Sequence, residues 1–378
     1  MFETFFQNSG LILAGFLTVL GGGEILVRGA VHLAKMLRVS ALLISTTIVA
    51  LGTAAPELAI NIQAVREGLP DIAVGNILGS CIFNVLLILG LCAIIAPLKI
   101  RTRMLAFDLP MMVFAAVLLS IFVAYGGGIS RQNGMLMFVL LVIFVVGRVV
   151  LDRFLERRQA GRMLQSNKGA AGEAVVTYEH TESENFSFRR LGVDLAFIGG
   201  GLILLTFGSQ WLVDCSISIC QALGISELLI GLTVLAIGSS SPEIVVSIVA
   251  TLKGEMDVAV GNIVGSNTMN ILCVLALTAV YAGFIPVSPD ARTYDLIITL
   301  AVTLVCVPIF ASSMTISRSE GIFFLAGCLA YCVFLYFKTV ESPYLTAVCW
   351  TLGIIMAAFF VWALAVEAWE GRKSEHEA

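Results

Sequence analysis

Apolar runs of about 20 residues or more recur along the whole chain, and a helix of that length crosses the hydrocarbon core of a bilayer. Charged residues make up only 13% of the 378, and mean hydropathy is +0.98; a soluble domain carries roughly twice that charged share. Backbone polar groups in lipid must be satisfied internally, which leaves helices or a closed barrel. The period-two alternation of a barrel is absent. The chain therefore reads as an all-α polytopic membrane protein. Eleven spans can be drawn, at 9–30, 39–66, 71–96, 104–125, 133–151, 192–213, 226–252, 257–284, 293–312, 320–337 and 344–366.

Placement of the basic residues orients these spans. With the N-terminus outside, 16 Lys and Arg fall on the inner side, against Arg66, Arg131, Arg292 and Lys338 on the outer side. The positive-inside rule then predicts N-terminus out and C-terminus in. The opening "MFETFFQNSG" has no basic stretch, so the first span is expected to stay in place rather than be cleaved. Nine Cys with no CxxC pair read as small apolar residues, and three scattered His do not suggest a zinc-type site.

Two distant stretches share one frame. Residues 52–84 read "GTAAPELAINIQAVREGLPDIAVGNILGSCIFN" and residues 238–270 read "GSSSPEIVVSIVATLKGEMDVAVGNIVGSNTMN". Aligning 51–90 with 237–276 gives 17 identities at a constant offset of 186. An odd number of spans, five, separates matching spans, so the second copy enters the membrane in the opposite sense. Two inverted five-helix repeats, ten transmembrane helices, are expected, with an eleventh helix outside the symmetry. The division is 1–151 for the first repeat, 152–191 for a polar, partly disordered cytoplasmic linker, 192–338 for the second repeat, and 339–378 for the extra span and tail.

The shared frame carries chemistry. Pro56 and Pro242 each remove an amide donor and crowd the carbonyl four residues back, at Gly52 and Gly238, so each helix breaks midway along its span. Unpaired carbonyls at that depth must face protein or an aqueous cavity. Hard cations want such oxygen ligands. Each break also carries a carboxylate, Glu57 or Glu243, and no Lys or Arg sits at comparable depth in spans 2, 3, 7 or 8. A buried charge costs about 2.5 kcal/mol or more on insertion scales. Two acids without basic partners imply bound cations or protons, and two negative charges match one Ca²⁺. Asn76, Ser80 and Asn84 form one stripe on span 3, and Asn262, Ser266 and Asn270 repeat it on span 8. Ser80, Ser266, Asn84 and Asn270 read as ligands or water-holding groups. For Asn76 and Asn262, helix–helix hydrogen bonding is the competing reading. Gly75/Gly79 and Gly261/Gly265 read as close-packing pairs.

At these residues the pair of stretches resembles the two α-repeats of the calcium/cation antiporter superfamily, in particular the sodium/calcium exchangers. The resemblance covers the first ten spans and is concentrated in 47–90 and 233–276. It implies central Ca²⁺ ligands at Glu57 and Glu243, aided by Thr53 and Ser239. It implies flanking Na⁺ sites built from the carbonyls of Ala50 and Ala236 and the hydroxyls of Ser80, Ser240 and Ser266, with Asn84 and Asn270 beside the centre. It further implies secondary antiport in which Na⁺ entry drives Ca²⁺ exit, three Na⁺ per Ca²⁺, with helices 1 and 6 sliding to alternate access. Three departures stand out: Ala54 where Ser is usual, Cys81 where the second copy has Asn267, and Asn270 where potassium-dependent relatives carry an acid. The implied partners are the transported ions and the lipid bilayer of the cytoplasmic membrane; no cofactor and no nucleic acid is called for. A proton-coupled cation exchanger is the alternative, although that branch typically has an acid where Gly79 and Gly265 stand. An intramembrane hydrolase would need a nucleophile with a base, or paired catalytic Asp, and the spans show no Ser–His pair at helical spacing.

Overall fold

The computed structural model describes residues 2–37, 39–169, 188–222, 238, 240–340, 344, 351, 353, 360 and 361. It is almost wholly helical: α1 (Phe2–Leu37), α2 (Ala41–Arg66), α3 (Pro70–Ile95), α4 (Met104–Gly126), α5 (Arg131–Gly169), α6 (Phe188–Ala222), α7 (Ser241–Leu252), α8 (Met256–Ala282), α9 (Ala291–Ser313) and α10 (Arg318–Thr339). Among the described residues nine helices are long and apolar enough to cross a membrane; α7 is the shorter exception. Most of the expected eleventh span lies outside the described residues, as does the first half of span 7. The structure differs from the sequence reading at residues 152–169, which continue α5 rather than starting a linker. That stretch carries four Arg with Leu and Gln, which favour helix.

The same local devices recur 186 or 187 residues apart. Gly68 and Gly254 both turn the chain with φ of 77°. Gly127 (φ 66°) has its counterpart in Met314 (φ 56°). Wide π-type turns open at Asn84 and at Asn270. Four short strands follow the same rule: β1 (Leu98–Lys99), β2 (Gly128–Ser130), β3 (Phe284–Pro286) and β4 (Thr315–Ile316). β1 pairs with β4 and β2 with β3, both antiparallel, so each ladder joins one copy to the other. Alternation of the spans puts β1 and β4 on one side of the membrane and β2 and β3 on the other, as this pairing requires.

α1 and α6 lie against each other through glycines spaced by seven. A methyl added at Gly15 would meet the Gly208 carbonyl at 3.0 Å, one at Gly22 the Gly201 carbonyl at 2.9 Å, and one at Gly29 the Asp194 carbonyl at 3.1 Å. As one number rises the other falls, so the two helices run antiparallel. Small residues let backbones approach this closely in lipid, where apolar burial does not drive association. The pair rests across both broken helices. Gly52 of α2 packs on Leu202 of α6, and a methyl on Gly23 of α1 would meet Val245 of α7 at 2.8 Å. α8 is also drawn tightly onto α2: added methyls at Gly261 and Gly265 would meet Ser45 Cβ at 3.0 Å and Thr46 Cα at 2.7 Å.

A buried ionic cluster ties the ends of three helices. Arg148 on α5 forks onto Asp108 of α4, with Nε–Oδ1 at 3.1 Å and Nη2–Oδ2 at 2.9 Å. One turn on, Asp152 accepts from Arg103 Nη1 at 2.7 Å and from the backbone N–H of Ser40 at 2.8 Å. Ser40 caps the start of α2 by accepting from the Leu43 N–H. Arg148, Asp108 and Asp152 are all at most 3% exposed. Removing one member of a buried pair strands the other charge and costs about 3–5 kcal/mol. Arg148→Leu is therefore expected to lower the thermal unfolding midpoint in detergent sharply. Asp108→Leu/Arg148→Leu is expected to recover part of the loss. A single variant as stable as wild type would show that the pair contributes nothing.

Candidate cation-binding site

The proline breaks are in place. In α2 the helical segment Ala50–Thr53 ends at Ala54 (φ −80°, ψ 0°), and Ala55–Arg66 resumes with Pro56 in its first turn. In α7 the corresponding residue is Ser240 (φ −89°, ψ 9°), followed by Ser241–Leu252 with Pro242. Proline suits the first helical turn, where its missing N–H is not needed. The break places Glu57 and Glu243 in the first turns of the resumed helices, where helix dipoles favour negative charge.

Both glutamates are fully buried, and none of their four carboxylate oxygens has a hydrogen-bond partner among the described residues. Among the described residues no basic side chain pairs with either; the ion pairs found lie elsewhere. The Thr53 hydroxyl lies beside Glu243 without forming a good hydrogen bond to it. Among the described residues no group of three or more His, Cys, Asp and Glu forms a cluster. The site is thus two acids surrounded by neutral oxygens.

Those oxygens come mainly from α3 and α8. The Thr53 hydroxyl is 3.3 Å from the Ala50 carbonyl oxygen, 3.4 Å from Asn262 Oδ1 and 3.4 Å from Ser266 Oγ. The Ser240 hydroxyl donates to Ser80 Oγ at 3.3 Å. Asn84 Nδ2 donates to Asn267 Oδ1 at 2.9 Å, and Asn267 Nδ2 donates to the Cys81 carbonyl at 3.1 Å. Asn84 Oδ1 and both amide atoms of Asn270 are buried without partners among the described residues. Ser80, Ser240, Ser266, Asn84 and Asn270 are all buried, and Ala50 is buried with them. Ala236 and Ser239 lie outside the described residues.

Asn76 and Asn262 turn out to tie helices together. Asn76 Nδ2 donates to Asn61 Oδ1 at 2.9 Å, and Asn262 Nδ2 donates to Ser247 Oγ at 3.0 Å. Asn61 and Ser247 are the polar residues the sequence reading missed. They stand 186 apart and each lies four residues after its glutamate, so the helical face they share with Glu57 and Glu243 was visible in the spacing.

The chain is similar to known proteins over most of its length. The family model described as sodium/calcium exchanger protein matches residues 8–150 and 193–340. The inner membrane protein YrbG of Escherichia coli (strain K12) is 32% identical over 87% of this chain and 96% of its own length. The sodium/calcium exchanger MaX1 of Methanosarcina acetivorans is 29% identical over 87% of this chain and 99% of its own. The solved structure of the sodium-calcium exchanger NCX_Mj, soaked with Na⁺ and Sr²⁺, superposes with a TM-score of 0.69 at 26% identity, covering 89% of this chain and 98% of that one. The paired breaks with their glutamates fall inside the two matched segments, and the chain belongs to the sodium/calcium exchanger protein family.

Proposed function

We propose that this membrane exchanger carries Na⁺ inward and Ca²⁺ outward by alternating access, both ions competing for one site around Glu57 and Glu243. The observation that carries this reading is the pair of buried carboxylates whose four oxygens have no hydrogen-bond partner and no basic partner among the described residues. A dication supplies the missing charge and fills the missing coordination. Thr53, Ser80, Ser240, Ser266, Asn84, Asn270 and the Ala50 carbonyl complete its oxygen shell, with Ser239 and the Ala236 carbonyl as the remaining members of the set. Competition is what couples the fluxes: a site emptied of Ca²⁺ keeps two uncompensated charges until Na⁺ enters, so the unloaded form is a poor traveller. The glycine-lined α1–α6 pair, lying across both breaks, is the element that moves. The membrane is the cytoplasmic one, with the N-terminus outside and the C-terminus inside.

The test is ⁴⁵Ca²⁺ uptake into proteoliposomes with Na⁺, K⁺ and H⁺ gradients imposed one at a time. An outward Na⁺ gradient is expected to drive accumulation, and a K⁺ gradient alone to drive none. Accumulation driven by a pH gradient in sodium-free buffer would replace this reading with proton-coupled exchange.

A further inference from the structure

The two halves of the site are not equivalent. Around α7 the break offers Ser240, whose hydroxyl meets Ser80 of α3 at 3.3 Å. The corresponding pair around α2 would be residue 54 with Ser266 of α8, but residue 54 is Ala. Its methyl is 1% exposed and sits in an apolar cluster with Val74, Ile77, Leu78 and Met269. Ser266 turns to Thr53 instead.

A second substitution falls on the same side. Asn267 of α8 gives Asn84 its partner at 2.9 Å. The counterpart of Asn267 is Cys81, which belongs to the same apolar cluster as Ala54. The Cys81 thiol is 3.9 Å from the Asn267 carbonyl and offers no amide oxygen. The counterpart of Asn84 is Asn270, and its amide is left with no partner among the described residues. Two polar groups have thus been exchanged for apolar ones in one half only, and a buried carboxamide has been orphaned as a result.

Charge decides what this asymmetry does. The site carries two carboxylates, and Asn270 adds no third. One Ca²⁺ neutralises them, and so do two Na⁺. A third Na⁺ would leave one net positive charge in a buried site. That charge can be tolerated only where neutral oxygens are dense enough to replace its hydration. The half around Ala54 and Cys81 keeps Thr53, Ser266 and the Ala50 carbonyl but lacks the two side-chain oxygens that Ser240 and Asn267 give the other half. Building on the Na⁺/Ca²⁺ reading above, we propose that this chain exchanges two Na⁺ for each Ca²⁺, the half-site bounded by Ala54 and Cys81 carrying no Na⁺, so that transport is electroneutral.

Wild-type protein in proteoliposomes tests this with ²²Na⁺ and ⁴⁵Ca²⁺ under a fixed Na⁺ gradient. Valinomycin and K⁺ set the membrane potential to zero, inside negative or inside positive. The expected results are about two Na⁺ moved per Ca²⁺, a Na⁺ Hill coefficient no higher than about two, and the same uptake at all three potentials. A ratio of three with potential-dependent uptake overturns the inference while leaving the exchange reading intact. Complete absence of Na⁺-driven uptake at every potential sinks the exchange reading itself, and this inference with it. Ala54→Ser restores the hydroxyl opposite Ser266 and is expected to make uptake potential-dependent and raise the Hill coefficient. A folded Ala54→Ser protein that remains electroneutral refutes the role given to Ala54. The wild-type measurement decides the stoichiometry even where that variant fails to fold.

Discussion

Glu57→Gln and Glu243→Gln, made singly, are each expected to abolish Na⁺-gradient-driven Ca²⁺ uptake while leaving the protein folded. Gln keeps the shape of Glu and removes one unit of charge. At about 4 Å and the effective dielectric that describes protein sites, one unit-charge pair is worth about 4 kcal/mol. Each 1.4 kcal/mol is about tenfold in affinity, so a loss of about a thousandfold in Ca²⁺ binding is expected. Stability should move the other way. Both carboxylates are buried without hydrogen bonds among the described residues, so the neutral amide relieves a desolvation cost in the ion-free protein. In the absence of divalent ions the variants should therefore unfold at or above the wild-type temperature. Adding Ca²⁺ at about 100 times its dissociation constant should raise wild-type stability by about 2.7 kcal/mol and leave either variant unmoved. Wild-type uptake in either variant would remove the glutamates from the site.

Gly201→Leu is the second large expected effect. A methyl at Gly201 would already lie 2.8 Å from the Gly22 carbonyl, 2.8 Å from the Leu26 amide nitrogen and 2.9 Å from Leu26 Cβ. Two of these three atoms are backbone and cannot rotate away. Overpacking of this kind typically costs about 1–3 kcal/mol, and a leucine asks for far more room than a methyl. α1 should be forced off α6, lowering thermal stability and stopping transport together. Gly200→Leu is the control, because nothing lies within 4 Å of a methyl built there among the described residues. The control should transport at close to the wild-type rate, which separates a packing effect from mere loss of a helical glycine. Equal transport by both variants would mean that the tight α1–α6 contact is dispensable.

Much of the architecture was legible because the bilayer simplifies the problem. Hydropathy marks the spans, proline marks the breaks, and a repeat at constant offset marks the symmetry. Glu57 and Glu243 stood out because an acid in an apolar run needs a reason. Arg148 was harder. It stands near the end of an apolar span, where a basic residue is unremarkable, and only packing brings it onto Asp108, 40 residues away. The heptad glycines of α1 and α6 were visible as letters, but the two helices are about 180 residues apart and no local rule says they meet. The wide turns at Asn84 and Asn270 have no sequence mark, since the flanking residues would also suit a regular helix. The partner of Gly52 could not be read either, because Leu202 is one apolar residue among many.

The cross-paired strands bear on how the chain is made. β1 ends at Lys99, and β4, which completes it, begins at Thr315. At about 5–20 residues per second, synthesis of the intervening chain takes roughly ten to forty seconds. During that time the first five helices are inserted with open strand edges and with the glycine face of α1 uncovered. They must wait in the membrane as an unfinished half until the second copy arrives. The newborn chain is therefore most exposed to mispairing and degradation in that interval, before its own other half has closed it.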